Sequence, residues 1–180
     1  MTDYYDKIIH IPHVDARDNV LGKVERWEAH KKGILHRAIT IGLQIDNRYL
    51  LQHRKHPVFD KWFDLTASSH PVFYDDGTIQ TNEDAVYTTL QREWGIKPQA
   101  LKGLHSPGHV VYKSKDPNSE YIEHEVCHLF IATVKDIPDW DEELAYGFTM
   151  QPAEEVKNIK NPIYPSLASW VKEFIKKDLL

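Results

Sequence analysis

The chain has 180 residues, with 22 Lys+Arg against 27 Asp+Glu and a formal net charge of -5, which argues against a general binder of nucleic acid or acidic membranes. At 41% hydrophobic and 27% charged residues it reads as one globular domain spanning 1–180, large enough to bury roughly 70% of its unfolded surface without covalent staples. The single cysteine, Cys127, excludes an intramolecular disulfide, and the count of 11 histidines turns attention to metal ligation and proton transfer.

From the N-terminus, Asp3 and Asp6 appear early with no apolar core behind them, so no secretory signal is expected. No run approaches the roughly 18 apolar residues of a membrane span, and the C-terminus EFIKKDLL carries no lipidation signal. The expected location is the cytoplasm. Lys7 to Ile11 reads as a short strand, Asp18-Asn19 as a turn, and Gly22 to His30 as a strand end or a short helix. His36 to Ile45 alternates as a strand, and Asp46-Asn47 supplies turn chemistry before Tyr49-Leu50-Leu51 returns as its hairpin partner. Residues 55–81 read as loop, punctuated by Pro57, Pro71 and Asp75-Asp76-Gly77.

Asn82 to Trp94 is the clearest helix: Thr81 or Asn82 caps it, Glu83 and Asp84 favour its first turn, and Gly95 closes it. Glu93 falls on the face of its apolar stripe. Leu104–Tyr112 and Glu123–Val134 read as strands either side of a turn at Asp116-Pro117-Asn118, and helices are expected over Pro152–Val156 and Pro165–Lys177. Irregular alternation with hairpins favours a mixed α/β (α+β) sandwich over a doubly wound sheet.

Three groups of residues carry the chemistry. In Glu123-His124-Glu125 on a strand, the two carboxylates project to one face, where they need a cation or a shared proton; a solvated strand face is the competing reading. His70 follows the small, polar run Thr66-Ala67-Ser68-Ser69, and His30 and His36 lie six residues apart across Gly33. Three histidines with two glutamates make a five-ligand set that suits Mg2+ or Mn2+ better than tetrahedral Zn2+. The remaining histidines, His56 among them, show no partner pattern, and Trp94, Trp140 and Trp170 read as core or interface residues. A Ser-His-Asp hydrolase is disfavoured, since no G-x-S-x-G elbow is present and the adjacent Ser68, Ser69 and His70 cannot face one another.

Assembled in order, these segments resemble type I isopentenyl-diphosphate isomerases, a branch of the Nudix superfamily. GKVERWEAH with HRA is similar to the family's N-terminal metal histidines, FDKWFDLTASSHP to its stretch ending in His-Pro, and NEDAV with REWGI to its modified Nudix helix. VVYKSKDP and EHEVC resemble its Tyr strand and its Glu-x-Glu strand. The resemblance implies a Nudix-type α/β/α sandwich with a mixed sheet and an N-terminal extension. It implies His30, His36, His70, Glu123 and Glu125 as ligands of Mg2+ or Mn2+, with Glu93 and substrate holding a second magnesium. Glu125 and Tyr112 are then the proton-handling pair, Ser68 stands where the family has its catalytic cysteine, and Thr89 where it has a helix arginine, for which Arg92 or Lys61 would compensate. Arg26, Arg54 and Lys55 are expected to grip the substrate diphosphate, with Trp62 and Phe63 as aromatic walls. The implied reaction is the isomerisation of isopentenyl to dimethylallyl diphosphate by a monomer or homodimer; a diverged diphosphate hydrolase and a catalytically silent binding protein are the alternatives.

Overall fold

A computed structural model of the protein describes residues 3–180. Its helices are α1 (Asp3–Asp6), α2 (Arg26–Lys32), α3 (Asn82–Trp94), α4 (Ala153–Lys157) and α5 (Ser169–Lys176). Its strands are β1 (His10–Val14), β2 (Val20–Glu25), β3 (His36–Ile45), β4 (Arg48–Arg54), β5 (Ala67–Ser69), β6 (Lys102–Lys115), β7 (Ile122–Thr133) and β8 (Ala145–Pro152). All eight strands join one mixed sheet. Strand β3 lies at its centre, with β7 running parallel along one edge from His36↔Glu125 to Gln44↔Thr133. The other edge is divided: β1 meets His36, the short β5 covers Ile39 to Ile41, and β4 takes Gln44 and Ile45.

Alternation along β3 builds the layers. Ile39, Ile41 and Leu43 point to one face, where they bury Val86, Leu90 and Trp94 of α3. Ala38 points to the other, which continues through Cys127 and Leu129 to Val171 and Phe174 of α5. The result is the expected α/β/α sandwich with a mixed sheet. Each large side chain fully buried in these two layers contributes roughly 1.5–3 kcal/mol relative to exposure.

Several local signals act as the sequence suggests. Asp46 and Asn47 both take positive φ, 48° and 60°, the two-residue hairpin geometry that matches strand twist. The Thr81 side chain accepts from the Asp84 amide, and Gly95 ends α3 at φ 59°. Segment 22–30 contains both elements, the end of β2 and then most of α2. Elsewhere the boundaries move. The first strand begins at His10, not Lys7, and residues 67–69, expected as loop, form β5. Strand β8, AYGFTMQP, is a further element beyond those expected, with Tyr146, Phe148 and Met150 alternating along it. The last helix starts at Ser169, because Pro165 sits in a 3-10 turn over Tyr164–Ser166 and Ala168 stays extended.

Candidate metal centre

The cluster forms where the divided edge of β3 meets the parallel strand β7. Helix α2 delivers His30 just before Gly33, which closes the helix at φ 60° and donates its amide to the Ala29 carbonyl. That tight left-handed turn folds His36, at the head of β3, back beside His30: the two ring centroids are 4.8 Å apart. His70, just beyond β5, completes a triangle at 5.2 Å from His30 and 5.0 Å from His36. The parallel register sets Glu125 opposite His36, and strand alternation carries Glu123 to the same face.

Four of the five side chains are buried, His30 and His36 at 1% and 0% exposure and Glu123 and Glu125 at 4% and 6%, while His70 is partly exposed. Glu125 Oε1 lies 3.2 Å from His70 Nε2 and 3.5 Å from His36 Nε2, while its Oε2 accepts the Tyr112 hydroxyl at 2.6 Å. Burial and the neighbouring Glu125 push the Glu123 carboxyl well above the usual carboxylate range. Glu125 suffers the same burial, yet the imidazoles of His36 and His70 hold it well below that range. The pair therefore carries about one negative charge between two carboxyls. Burial, reinforced by the other two rings, drives His30 well below the ordinary histidine value; burial likewise takes His70 from 6.5 to about 4. Neutral imidazoles with available lone pairs are what a metal needs.

Three of the buried ligand atoms, His30 Nδ1, His36 Nε2 and Glu123 Oε2, have no hydrogen-bond partner among the described residues. The His36 case is informative: its Nδ1 lies 2.7 Å from the Ile34 carbonyl, which can only accept, so Nδ1 carries a hydrogen and Nε2 is the ring atom that faces the cluster. Ligand atoms of His30, His36 and His70 lie within 4.8 Å of one another, as do those of His36, Glu123 and Glu125. Unpartnered acceptors converging in a buried site fit a divalent cation, and the mixed N/O set with two carboxylates agrees with that fit.

No family model matches the chain. It is, however, 30% identical over 147 residues to the isopentenyl-diphosphate Delta-isomerase of Pectobacterium atrosepticum, with 79% of this chain and 76% of that one covered. The chain belongs to the isopentenyl-diphosphate Delta-isomerase family. An isomerase of the same name from Aliivibrio fischeri is 29% identical across 82% of this chain and 76% of its own length. Among solved structures, the fold is similar to DR0079 from Deinococcus radiodurans, with TM-score 0.67, 13% identity, and 93% and 98% of the two chains covered. It is also similar to a MutT NUDIX hydrolase from Burkholderia pseudomallei, with TM-score 0.53, 16% identity, and 79% and 96% covered. These likenesses establish the Nudix-type fold. Among the described residues, no helix is long and apolar enough to cross a membrane.

The other residues singled out by the family resemblance fall at varied distances from the cluster. Ser68 lines the same small cavity as His30, His70, Glu123 and Glu125; its hydroxyl pairs with Thr40 Oγ1 at 2.8 Å, and Thr40 in turn contacts Cys127 Sγ at 3.3 Å. Glu93 lines an adjoining cavity with His30 and His70, its oxygens held by Gln52 at 3.1 Å and Arg92 at 2.8 Å. Arg54 borders the cluster but is locked to buried Asp64 at 2.8 Å, and Arg26 is buried against the N-terminal segment. Lys55 points into a neighbouring cavity, where Nζ donates to the Glu142 carbonyl at 3.0 Å. Arg92, not Lys61, is the cation that reaches the site from near Thr89.

Two expectations are corrected. Trp62 lies under the Lys172 ammonium and Phe63 stacks on His53, so neither walls the cluster; Trp170 does, fixed by its indole N–H on Asp64 at 2.7 Å. His56, set aside in the sequence, also lines the cavity. Its Nδ1 lies 3.0 Å from both the amide nitrogen and the carbonyl oxygen of Val58, which fix the ring's orientation. Nothing in the local spacing marks His56, because the turn through Pro57 and Val58 that aims it is not a periodic element.

Proposed function

We propose that the chain interconverts isopentenyl diphosphate and dimethylallyl diphosphate by protonation and deprotonation at carbon, assisted by Mg2+ or Mn2+. The observation that carries this reading is the Tyr112–Glu125 pair, a hydroxyl 2.6 Å from a carboxylate that is itself part of the ligand cluster. A simple structural ion site has no use for a buried phenol so placed. In this reading His30, His36, His70, Glu123 and Glu125 hold the ion, and Glu93 with the substrate diphosphate holds a second Mg2+. When bound, the ion supplies positive charge that offsets the two carboxylates and stabilises the anionic form of Glu125.

Glu125 takes up a proton through the Tyr112 hydroxyl on its Oε2 and delivers it to one alkene carbon, and the proton lost from the other end of the allylic system leaves toward Ser68. Trp170 supplies an aromatic face beside the cationic carbon that protonation creates. Burial excludes water, which would capture such a cation. Ser68, on the same cavity, is the polar group available at the other end of the alkene, its hydroxyl chained to Thr40. A serine hydroxyl is a far weaker acid than a thiol of pKa about 8.5, so Ser68→Cys is expected to raise the rate of isomerisation. Arg26, Arg54 and Lys55 are assigned to the diphosphate, joined by Arg92.

A diphosphate hydrolase on the same centre is the second reading, favoured by Ser68 itself, a hydroxyl where the family resemblance places a cysteine. Purified protein with Mn2+ and isopentenyl diphosphate separates the two. Appearance of dimethylallyl diphosphate in the proton NMR spectrum, with no phosphate released, is expected; phosphate release from prenyl or nucleoside diphosphates without isomerisation would overturn the proposal.

A further inference from the structure

Tyr4 and Tyr5 of α1 line a small cavity together with His30 and His70 of the cluster. The two cavities that touch the cluster measure only about 20 Å3 each, room for little more than one water. Yet two cavities of about 380 and 370 Å3 adjoin them, both within the range of small-molecule sites. The first shares Tyr4, Ser69, His70 and Arg92 with the cluster's cavity, and the second shares Tyr5 and His56. Helix α1 stands at both junctions, with Tyr4 bordering one and Tyr5 the other.

Helix α1 is held through Tyr5, which is buried against the Trp27 and His56 rings at 6.2 and 4.9 Å, and through Tyr4. The Tyr4 ring lies beneath two guanidiniums, with Arg26 Cζ at 4.8 Å and Arg92 Cζ at 4.1 Å from its centroid. Arg26 Nη2 reaches the carbonyls of Tyr4, Tyr5 and Lys7 at 3.1, 3.2 and 3.4 Å, and the Trp27 indole donates to the Tyr5 carbonyl at 2.9 Å. Arg26 is 97% buried by its exposure of 3%, and Nε of both Arg26 and Arg92 has no hydrogen-bond partner among the described residues. Arg92 is partly exposed and already pairs with Glu93 at 2.8 Å, but a neutral ring satisfies the faces that these two guanidiniums turn toward Tyr4 less well than a phosphate group would.

We propose that Tyr4 occupies the position a substrate diphosphate takes between Arg26 and Arg92, so that α1 is a plug which the substrate must displace. The plug rests on the reading of the substrate as a diphosphate, but it makes its own prediction about affinity. Tyr4→Ala should bind inorganic pyrophosphate at least ~10-fold more tightly than the wild type in metal-free calorimetry, since the ion no longer competes with the ring. Tyr4→Phe, which keeps the ring, should bind as the wild type does, and Arg92→Gln added to Tyr4→Ala should abolish the gain. Saturating pyrophosphate should also accelerate amide hydrogen exchange over residues 3–9 of the wild type. Unchanged or weaker pyrophosphate binding by Tyr4→Ala, or slower exchange over residues 3–9, would overturn the plug. Wild-type turnover of isopentenyl diphosphate with no affinity gain in Tyr4→Ala sinks the plug alone. The affinity gain without isomerisation by any variant sinks the isomerase reading alone.

Discussion

Glu125 answers to three neighbours at once: Tyr112 on one oxygen, and His36 and His70 on the other. Replacing it should therefore affect binding and chemistry together. Glu125→Gln is expected to lower isomerisation by roughly 10²–10⁴-fold and to weaken Mn2+ binding. Tyr112→Phe should lower turnover while Mn2+ affinity measured by calorimetry stays close to wild type; a large loss of affinity would make Tyr112 a structural prop. His56 allows a cleaner pH test, because the site's ion is not assigned to it. Burial, with Arg54 next, holds it well below 6.5 in the fold. Its neutral form is thus favoured in the native state, and as pH falls below about 6.5 the unfolded chain takes up the proton first. Wild type should lose about 1 kcal/mol relative to His56→Gln between pH 7.5 and pH 5.5 in denaturant titrations; an equal or opposite change would contradict the assigned environment. The glutamate pair and its histidines were legible in the sequence because alternation and motif order expose them. His56 and Trp170 were not, since a turn and the return of α5 bring them in from segments with no shared period.

At the scale of elements, the site depends on how abruptly α2 turns into β3. Gly33 sits at φ 60°, and a Cβ there would meet Ile122 Cγ2 at 3.2 Å. Gly33→Ala should cost about 1–2 kcal/mol and reduce Mn2+ affinity by shifting His30 against His36. Gly103→Ala, at φ 65° with open space around it, supplies the same backbone strain away from the cluster and should leave Mn2+ affinity unchanged. Equal effects of the two variants on Mn2+ binding would refute this role for the turn. Helix α3 and the β3–β4 hairpin were readable because caps and turn residues are local signals. Strand β5 was not, because three residues are too few for a period, whereas β8 carries a signal in the alternation of Tyr146, Phe148 and Met150, weakened by Gly147 and by side chains that stay half-exposed along β4. The formation of β5 is fixed by the sheet edge that receives it, a long-range condition no window of sequence contains.

At the scale of the molecule, a sandwich was legible from the mixture of amphipathic helix and alternating strands, and the sheet confirms why the cluster lies where it does. The divided edge of β3 leaves a gap at the end of short β5, and side chains from α2, β3, β5 and β7 converge on it. An ion bound there ties both halves of the sheet together and should stabilise the whole fold by mass action. At free Mn2+ near one hundred times its dissociation constant the gain is about 2.7 kcal/mol, a rise in Tm of roughly 5–10 °C for a chain of this size. Chelator should reverse it, and His36→Ala should remove it; a Tm insensitive to Mn2+ would dissolve the metal centre as described. The most direct test of the central claim is solvent exchange at carbon: incubate the metal-loaded protein with isopentenyl diphosphate in D2O and follow the five-carbon products by NMR. The account predicts deuterium in both isopentenyl and dimethylallyl diphosphate, dependent on Mg2+ or Mn2+ and lost in Glu125→Gln. Protein loaded with metal that leaves both compounds free of deuterium would contradict it.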